Sequence, residues 1–151
     1  MEIDLRTIAT FDEAKPHLES FIEHGQRALA DLDQDPPQEG FLEHHLRANL
    51  GSPESLLLVA ESEHGLANLG VCLVGPHVDP LGGQKQPMLL ILSVDSSVRH
   101  RALAGTLVKE ARRILRRRGF ETLAARVPSG DDALVSMGER WGFVRTWEFL
   151  S

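Results

Sequence analysis

Apolar and charged positions alternate at the start of the chain, Ile3 and Leu5 against Asp4 and Arg6, which predicts a half-buried strand from Ile3 to Ile8. Thr10-Phe11-Asp12-Glu13 has the form of a capping box, in which a hydroxyl and a carboxylate satisfy orphan amides where a helix begins. Ala14, Leu18, Phe21 and Ile22 carry a helical period to Gly25, with Pro16 expected to kink the helix or to mark its true start. Asp31 to Gly40 is polar and holds two prolines, a loop. Phe41, Leu42, Leu46 and Leu50 form a second short amphipathic helix, closed by Gly51-Ser52-Pro53. Leu56 to Ala60 and Leu66 to Val74 read as the strands of a hairpin around the polar turn from Glu61 to Gly65. Pro76 to Pro87, rich in Pro and Gly, is expected to be a long loop of the functional kind.

Met88 to Val94 is the most apolar stretch and predicts a central strand buried on both faces. A helix from about Ala102 to Arg118 follows. Leu103, Leu107, Ala111 and Ile114 make its stripe, Ala104, Val108 and Leu115 widen it, and Gly119 is its C-terminal stop. Leu123 to Val127 reads as a strand, Asp131 to Trp141 as a helix ending at Gly142, and Phe143 to Leu150 as a final strand. The order β-α-α-β-β-β-α-β-α-β predicts an α/β (α+β) fold. It is a mixed sheet with helices on both faces and a right-handed parallel crossover from Met88 to Val127. With no repeat or linker in 151 residues, one domain over 1–151 is expected.

Composition narrows the functional classes. No apolar run approaches the ~20 residues needed to span a bilayer, and the acidic N-terminus lacks the order of a signal peptide. Cys72, the single cysteine, lies in an apolar run and reads as a buried, inert thiol. A cytoplasmic protein is expected. The net charge of −6 conceals an asymmetry. Up to Glu63, fourteen acidic residues face only Arg6, Lys15, Arg27 and Arg47, whereas Arg99 to Arg118 carries eight basic residues and Glu110 alone as an acid. That pattern suggests a local anion site. No aromatic residues interleave with these arginines as base-stacking platforms, which argues against nucleic acid. The seven histidines include no His-x-x-x-His pair, so no metal site is expected.

The anion site is expected where the strand ending at Val94 leads through Asp95-Ser96-Ser97-Val98 into Arg99-His100-Arg101-Ala102-Leu103-Ala104-Gly105-Thr106. A helix N-terminus offers unpaired amides and the positive end of a dipole to phosphate. Small residues at Ala102, Ala104 and Gly105 would let a ligand approach the backbone, and Arg99 and Arg101 add fixed positive charge.

This stretch resembles the acyl-CoA motif of the GNAT superfamily of acetyl-CoA-dependent N-acetyltransferases: a central strand ending in Val, then Arg99-x-x-Ala102-x-Ala104-x-x-Leu107. A later family motif, an acidic residue before a helix that ends in Gly-Phe, is similar to Asp131 through Gly142-Phe143. The order of elements from Ile3 to Leu150 fits as well. The resemblance implies a GNAT-like, mostly antiparallel sheet and acetyl-CoA as co-substrate, with an amine of a small molecule or protein as acceptor. It also implies the coenzyme contacts. Leu92, Ser93 and Val94 lie beside the pantetheine arm, the amides from His100 or Arg101 through Ala102, Leu103 and Ala104 to Gly105 and Thr106 hold the pyrophosphate, and Arg99 and Arg101 supply charge.

Three departures from the family pattern stand out. Ala102 replaces the first motif glycine, a change expected to cost little in a helical conformation. The position of a frequent family Tyr, the acid for the leaving thiolate, is Gly138 in a chain without Tyr. One of the two usual last strands is unaccounted for, either missing or supplied by a partner chain in a homodimer. Glu61 and Glu63 read as solvated turn residues, His77 and Asp79 as loop residues, and the acid is left to water or a hydroxyl such as Ser136. No catalytic residue is assigned, so a non-catalytic acyl-CoA-binding or interaction domain is the rival reading.

Overall fold

In the computed structural model the described residues are 3–32, 35–62, 68–79, 81–127 and 130–146, without the side chains of 99–101. Strand β1 (Ile3–Ile8) leads into α1 (Phe11–Ala14), a 3₁₀ turn (Lys15–His17) and α2 (Leu18–Asp31). The N-cap half of the capping box is formed, the Glu13 N–H donating to Thr10 Oγ1 at 3.2 Å, while the Glu13 carboxylate accepts from the Thr10 hydroxyl at 3.0 Å. Pro16 falls in the 3₁₀ turn, where its missing N–H is tolerated. Gly25 does not end the helix as expected. It is buried within α2, and a Cβ there would meet the Leu42 side chain at 2.9 Å, so this glycine lets α3 (Phe41–Asn49) close on α2.

Next come β2 (Leu56–Ser62), β3 (Asn68–Val78), β4 (Lys85–Val94), a 3₁₀ segment (Ser96–Arg101), α4 (Leu103–Arg117), β5 (Ala124–Ala125) and α5 (Asp132–Arg140). Among the described residues they form a sheet of order β1-β2-β3-β4-β5, antiparallel except for the parallel pair β4–β5. Phe21, Leu42 and Leu46 of α2 and α3 cover one face of it with Val59, Val71 and Leu73. Leu103, Leu107, Val108, Ala111 and Leu115 of α4 cover the other with Leu58, Cys72 and Val74. Helices thus lie on both faces of a mixed sheet, as the pattern predicts.

Four expectations are corrected. Half of Pro76 to Pro87 is not a loop, because β3 and β4 run on to Val78 and from Lys85, with Pro76 opposite Pro87. Both prolines lie beyond the reach of the outer strands, which stop opposite Val74 and Met88, so no outer partner calls for their absent N–H groups. Leu123 to Val127 shrinks to the two residues of β5. Residues 143–146 are irregular, and the rest of the expected last strand lies outside the described residues, as do Glu63 and most of the first hairpin turn. Finally, Leu89 to Leu92 in the middle of β4 are only half-buried; β5 pairs with Leu89 and with none of the other three.

Candidate functional site

β4 and β5 pair only at Met88–Ala124 and Leu89–Ala125, and past that point they separate. Just there the β3–β4 register slips, since Leu73 pairs with Ile91 and Val74 with Leu89, leaving Leu90 as an extra residue in β4. A bulge of this kind bends its strand and sharpens the twist. The Leu90 side chain has room because Gly75 lies beneath it, where a Cβ would sit 2.6 Å from Leu90 Cδ1.

Which peptide groups of β4 face the gap follows from one bond past its end. The Asp95 N–H donates to the Leu69 carbonyl at 2.7 Å, so Asp95 turns its peptide toward β3. Orientation alternates along an antiparallel ladder. Ser93 and Ile91, opposite Val71 and Leu73, therefore face β3 as well, and Leu92 and Val94 turn their N–H and C=O outward. Among the described residues no strand meets them.

This open edge runs into the start of α4. Gly70, opposite Val94, brings helix and sheet together; a Cβ on it would lie 3.2 Å from Leu107 and 3.3 Å from Leu103. The Asp95 carboxylate accepts from the Ser97 N–H at 3.0 Å and begins the 3₁₀ segment. That bond first, with the Ser97 side chain and the charge of Arg27 adding to it, holds the Asp95 carboxyl below the usual carboxylate range. At Ala102 the chain reverses into the left-handed region, φ 56° and ψ 30°, and α4 begins with no side chain capping its first amides. Ala102 is the one non-glycine residue with positive φ among those described. The expectation that this alanine costs little in a helical conformation is wrong, since the helix starts one residue later and Ala102 takes the strained turn itself.

The predicted site residues divide. Leu92 and Val94 border the gap, and Ala102, Leu103, Ala104, Gly105 and Thr106 form the first turn of α4, with the Thr106 N–H already donating to the Ala102 carbonyl at 3.1 Å. Arg99, His100 and Arg101 lie in the preceding 3₁₀ segment, their side chains outside the described residues. Gly105 was expected to make room for a ligand, yet a Cβ on it would lie 2.9 Å from Trp141 Nε1, so its smallness serves the packing of the chain after α5. Ser93 turns its side chain away from α4 toward α2. Its Oγ is 3.0 Å from Nδ1 of the buried His24, whose Nε2 is 2.9 Å from the Asn68 carbonyl. Sequence reasoning missed His24, since one histidine among seven carries no spacing signal.

The remaining titratable groups are elsewhere. Glu61 is not a solvated turn residue but a buried member of β2, 3.1 Å from Arg6 Nε and 3.7 Å from His17 Nε2. Asp79 closes the β3–β4 turn by accepting from the Leu81 N–H at 3.0 Å, His77 is paired in β3 opposite Gln86, and Ser136 is exposed on α5. His45 is held below its ordinary pKa by burial first and by His44 second, and it stacks on Phe41 with ring centroids 5.4 Å apart. The backbone of the Gly-Phe motif is a helix cap. Gly142 has φ 92°, and the Phe143 and Gly142 N–H groups donate to the Gly138 and Glu139 carbonyls. Among the described residues no group of three or more His, Cys, Asp or Glu is disposed to hold a metal ion, and no helix is long and apolar enough to cross a membrane.

No family model matches the sequence, and no curated protein matches it. Solved structures do. An aminoglycoside N-acetyltransferase, AAC(6')-Iy in complex with CoA, superimposes with a TM-score of 0.75 at 18% identity, over 99% of this chain and 93% of the other. A predicted acetyltransferase with acetyl-CoA from Clostridium acetobutylicum gives 0.76 at 12% identity, over 99% and 95%. A GCN5-related N-acetyltransferase from Ralstonia eutropha JMP134 gives 0.73 at 21% identity, over 99% and 97%. The fold of this chain is the fold of the GCN5-related N-acetyltransferases.

Proposed function

We propose that the chain is an N-acetyltransferase that moves an acetyl group from acetyl-CoA to a primary amine on a small molecule or protein. One observation carries the reading: a strand edge that no other described strand pairs, with two outward peptide groups, leads directly to a helix start whose N-cap residue, Ala102, has no side chain able to cap it. The edge suits the pantetheine arm, an extended amide chain able to pair with Leu92 and Val94 as an added strand does. The open amides at the start of α4 and its dipole suit the pyrophosphate, with Arg99 and Arg101 adding charge. Two of the structures of this fold hold CoA or acetyl-CoA, which supports the same ligand here. Acetyl-CoA supplies an activated thioester. The acceptor nitrogen forms a bond to its carbonyl carbon and loses a proton, the C–S bond breaks, and the thiolate takes a proton, here from water because the chain has no Tyr. An outward β4 amide is suited to stabilise charge on the carbonyl oxygen. The excess of acidic residues before Glu63 favours a cationic acceptor, and one of the structures is an aminoglycoside acetyltransferase.

The test is a thermal-shift titration with CoA and acetyl-CoA, followed by thiol release across a panel of amines that includes aminoglycosides. Ligand at a hundred times its dissociation constant adds about 2.7 kcal/mol of stability. Arg99→Ala and Ala104→Glu are expected to abolish the shift, one by deleting charge and the other by placing an anion at the phosphate amides. No shift in the wild type overturns the reading, and coenzyme binding without thiol release from any amine leaves an acyl-CoA-binding domain in its place.

A further inference from the structure

His24 and Ser93 are buried polar residues between α2 and the sheet, 3% and 7% exposed respectively. Chemistry fixes the direction of one of their hydrogen bonds, and for a neutral ring the other follows. A carbonyl oxygen only accepts, so at 2.9 Å from the Asn68 carbonyl His24 Nε2 carries the proton. A neutral imidazole then has a bare Nδ1, and the Ser93 hydroxyl, 3.0 Å away, donates to it. The ring therefore joins the start of β3 to the end of β4 from the α2 side. One turn along α2, Arg27 lies 3.8 Å from the Asp95 carboxylate. Two successive turns of one face of α2 thus hold residues 93 and 95, which bracket Val94 where the connector to α4 begins.

The placement matters because, among the described residues, strand pairing holds the end of β4 from one flank only. β3 pairs with it, β5 has already diverged, and Leu92 and Val94 present their peptide groups to the gap. We propose that His24 is a positioning residue: by accepting the Ser93 proton and donating to Asn68 it fixes the β4 edge and the connector in the arrangement that receives the coenzyme. This rests on the acetyl-CoA reading above and adds to it a residue that touches no ligand. Ser93 lies three residues beyond the Leu90 bulge, roughly 10 Å at strand spacing. The pair is therefore distant from where β4 and β5 part and acts on the strand rather than on the acyl group. An edge set before binding saves the ordering cost that association otherwise incurs.

The experiment measures CoA affinity by isothermal titration, beside urea unfolding without ligand, for His24→Leu, His24→Asn, Ser93→Ala and the double variant His24→Leu/Ser93→Ala. A lost buried hydrogen bond of this kind corresponds to about a tenfold fall in affinity. That fall is expected for Ser93→Ala, and one at least as large for His24→Leu, which also loses the Asn68 bond; the double variant is expected to fall no further than His24→Leu, since the Ser93 tie is already broken in it. His24→Asn, whose carboxamide oxygen can accept the Ser93 proton, is expected to recover most of the affinity. Ser93→Ala is the milder change and decides the matter if His24→Leu does not fold. CoA affinity unchanged in a folded Ser93→Ala or His24→Leu protein overturns the positioning role while leaving the acetyltransferase reading intact. A wild-type protein that binds no CoA overturns both.

Discussion

Ala102 adopts a conformation that a side chain makes expensive. In the left-handed region Cβ crowds the following carbonyl, at roughly 1–2 kcal/mol for an ordinary residue. The turn is needed because the 3₁₀ segment must reverse before α4 can start against Gly70. Ala102→Gly is expected to raise stability by about 1 kcal/mol, the relief of strain exceeding the entropy that glycine adds to the unfolded chain. Urea unfolding with an unchanged denaturant slope is the check; a midpoint that falls would show that the alanine methyl is held by favourable contacts. Cys72 makes a second prediction at this scale. Burial pushes its thiol up to about 12, so at pH 8 almost none is thiolate. The folded protein is expected not to react with a disulfide reagent at that pH, and one equivalent reacts in urea. Thiol release in an activity assay then reports CoA alone, and a native protein that consumes reagent refutes the point.

Among the elements, the connector from β4 to α4 carries the most specific chemistry. Asp95 begins the 3₁₀ segment through Ser97 and accepts the field of Arg27. Its folded pKa is depressed, so the stability it adds is present above the unfolded carboxylate value near 4 and is lost as pH falls through the lower folded value. Asp95→Ala is expected to lower stability by about 1 kcal/mol at pH 7, as lost N-caps do, and by less at acid pH. Unfolding at both pH values checks the sign, and an equal loss at both would assign the effect to packing.

Elements with a strong period or a cap were legible in the sequence: β1, the Thr10 box, α3, α4 and α5 all form near their expected bounds. What was misread depended on partners distant in the chain. Gly25 reads as a helix stop until Leu42 is found against it. Pro76 and Pro87 read as loop until they are seen opposite each other beyond the outer strands. The charge pattern of α4 gives no sign that Arg118 donates to the Pro53 and Ser55 carbonyls or that the Arg112 guanidinium lies 4.4 Å over the Phe143 ring. Of the candidate site, the strand-to-helix junction was legible from the apolar run ending at Val94 and the helical period that starts at Leu103. The His24 tie was not, because it joins positions 69 residues apart.

At the scale of the whole molecule, the sheet is complete on one side of β4 and parted on the other, and that asymmetry separates folding from binding. Residue 91 spends its peptide groups on β3, and residue 92 keeps them for the gap. Replacing a single peptide N–H by an ester oxygen removes one donor and leaves the side chain in place. At Ile91 the change is expected to cost about 1 kcal/mol of stability, the net worth of a ladder bond, with little effect on CoA affinity measured on the folded fraction. At Leu92 stability should hold while CoA affinity falls about tenfold, because the lost donor is one that only the pantetheine arm would use. The two esters differ by one position and exchange the property they damage, since neighbouring residues of a strand face opposite ways. Equal effects on stability at both positions would mean that the outward groups of β4 are already paired within the protein, and the gap would then have no free edge to offer a coenzyme.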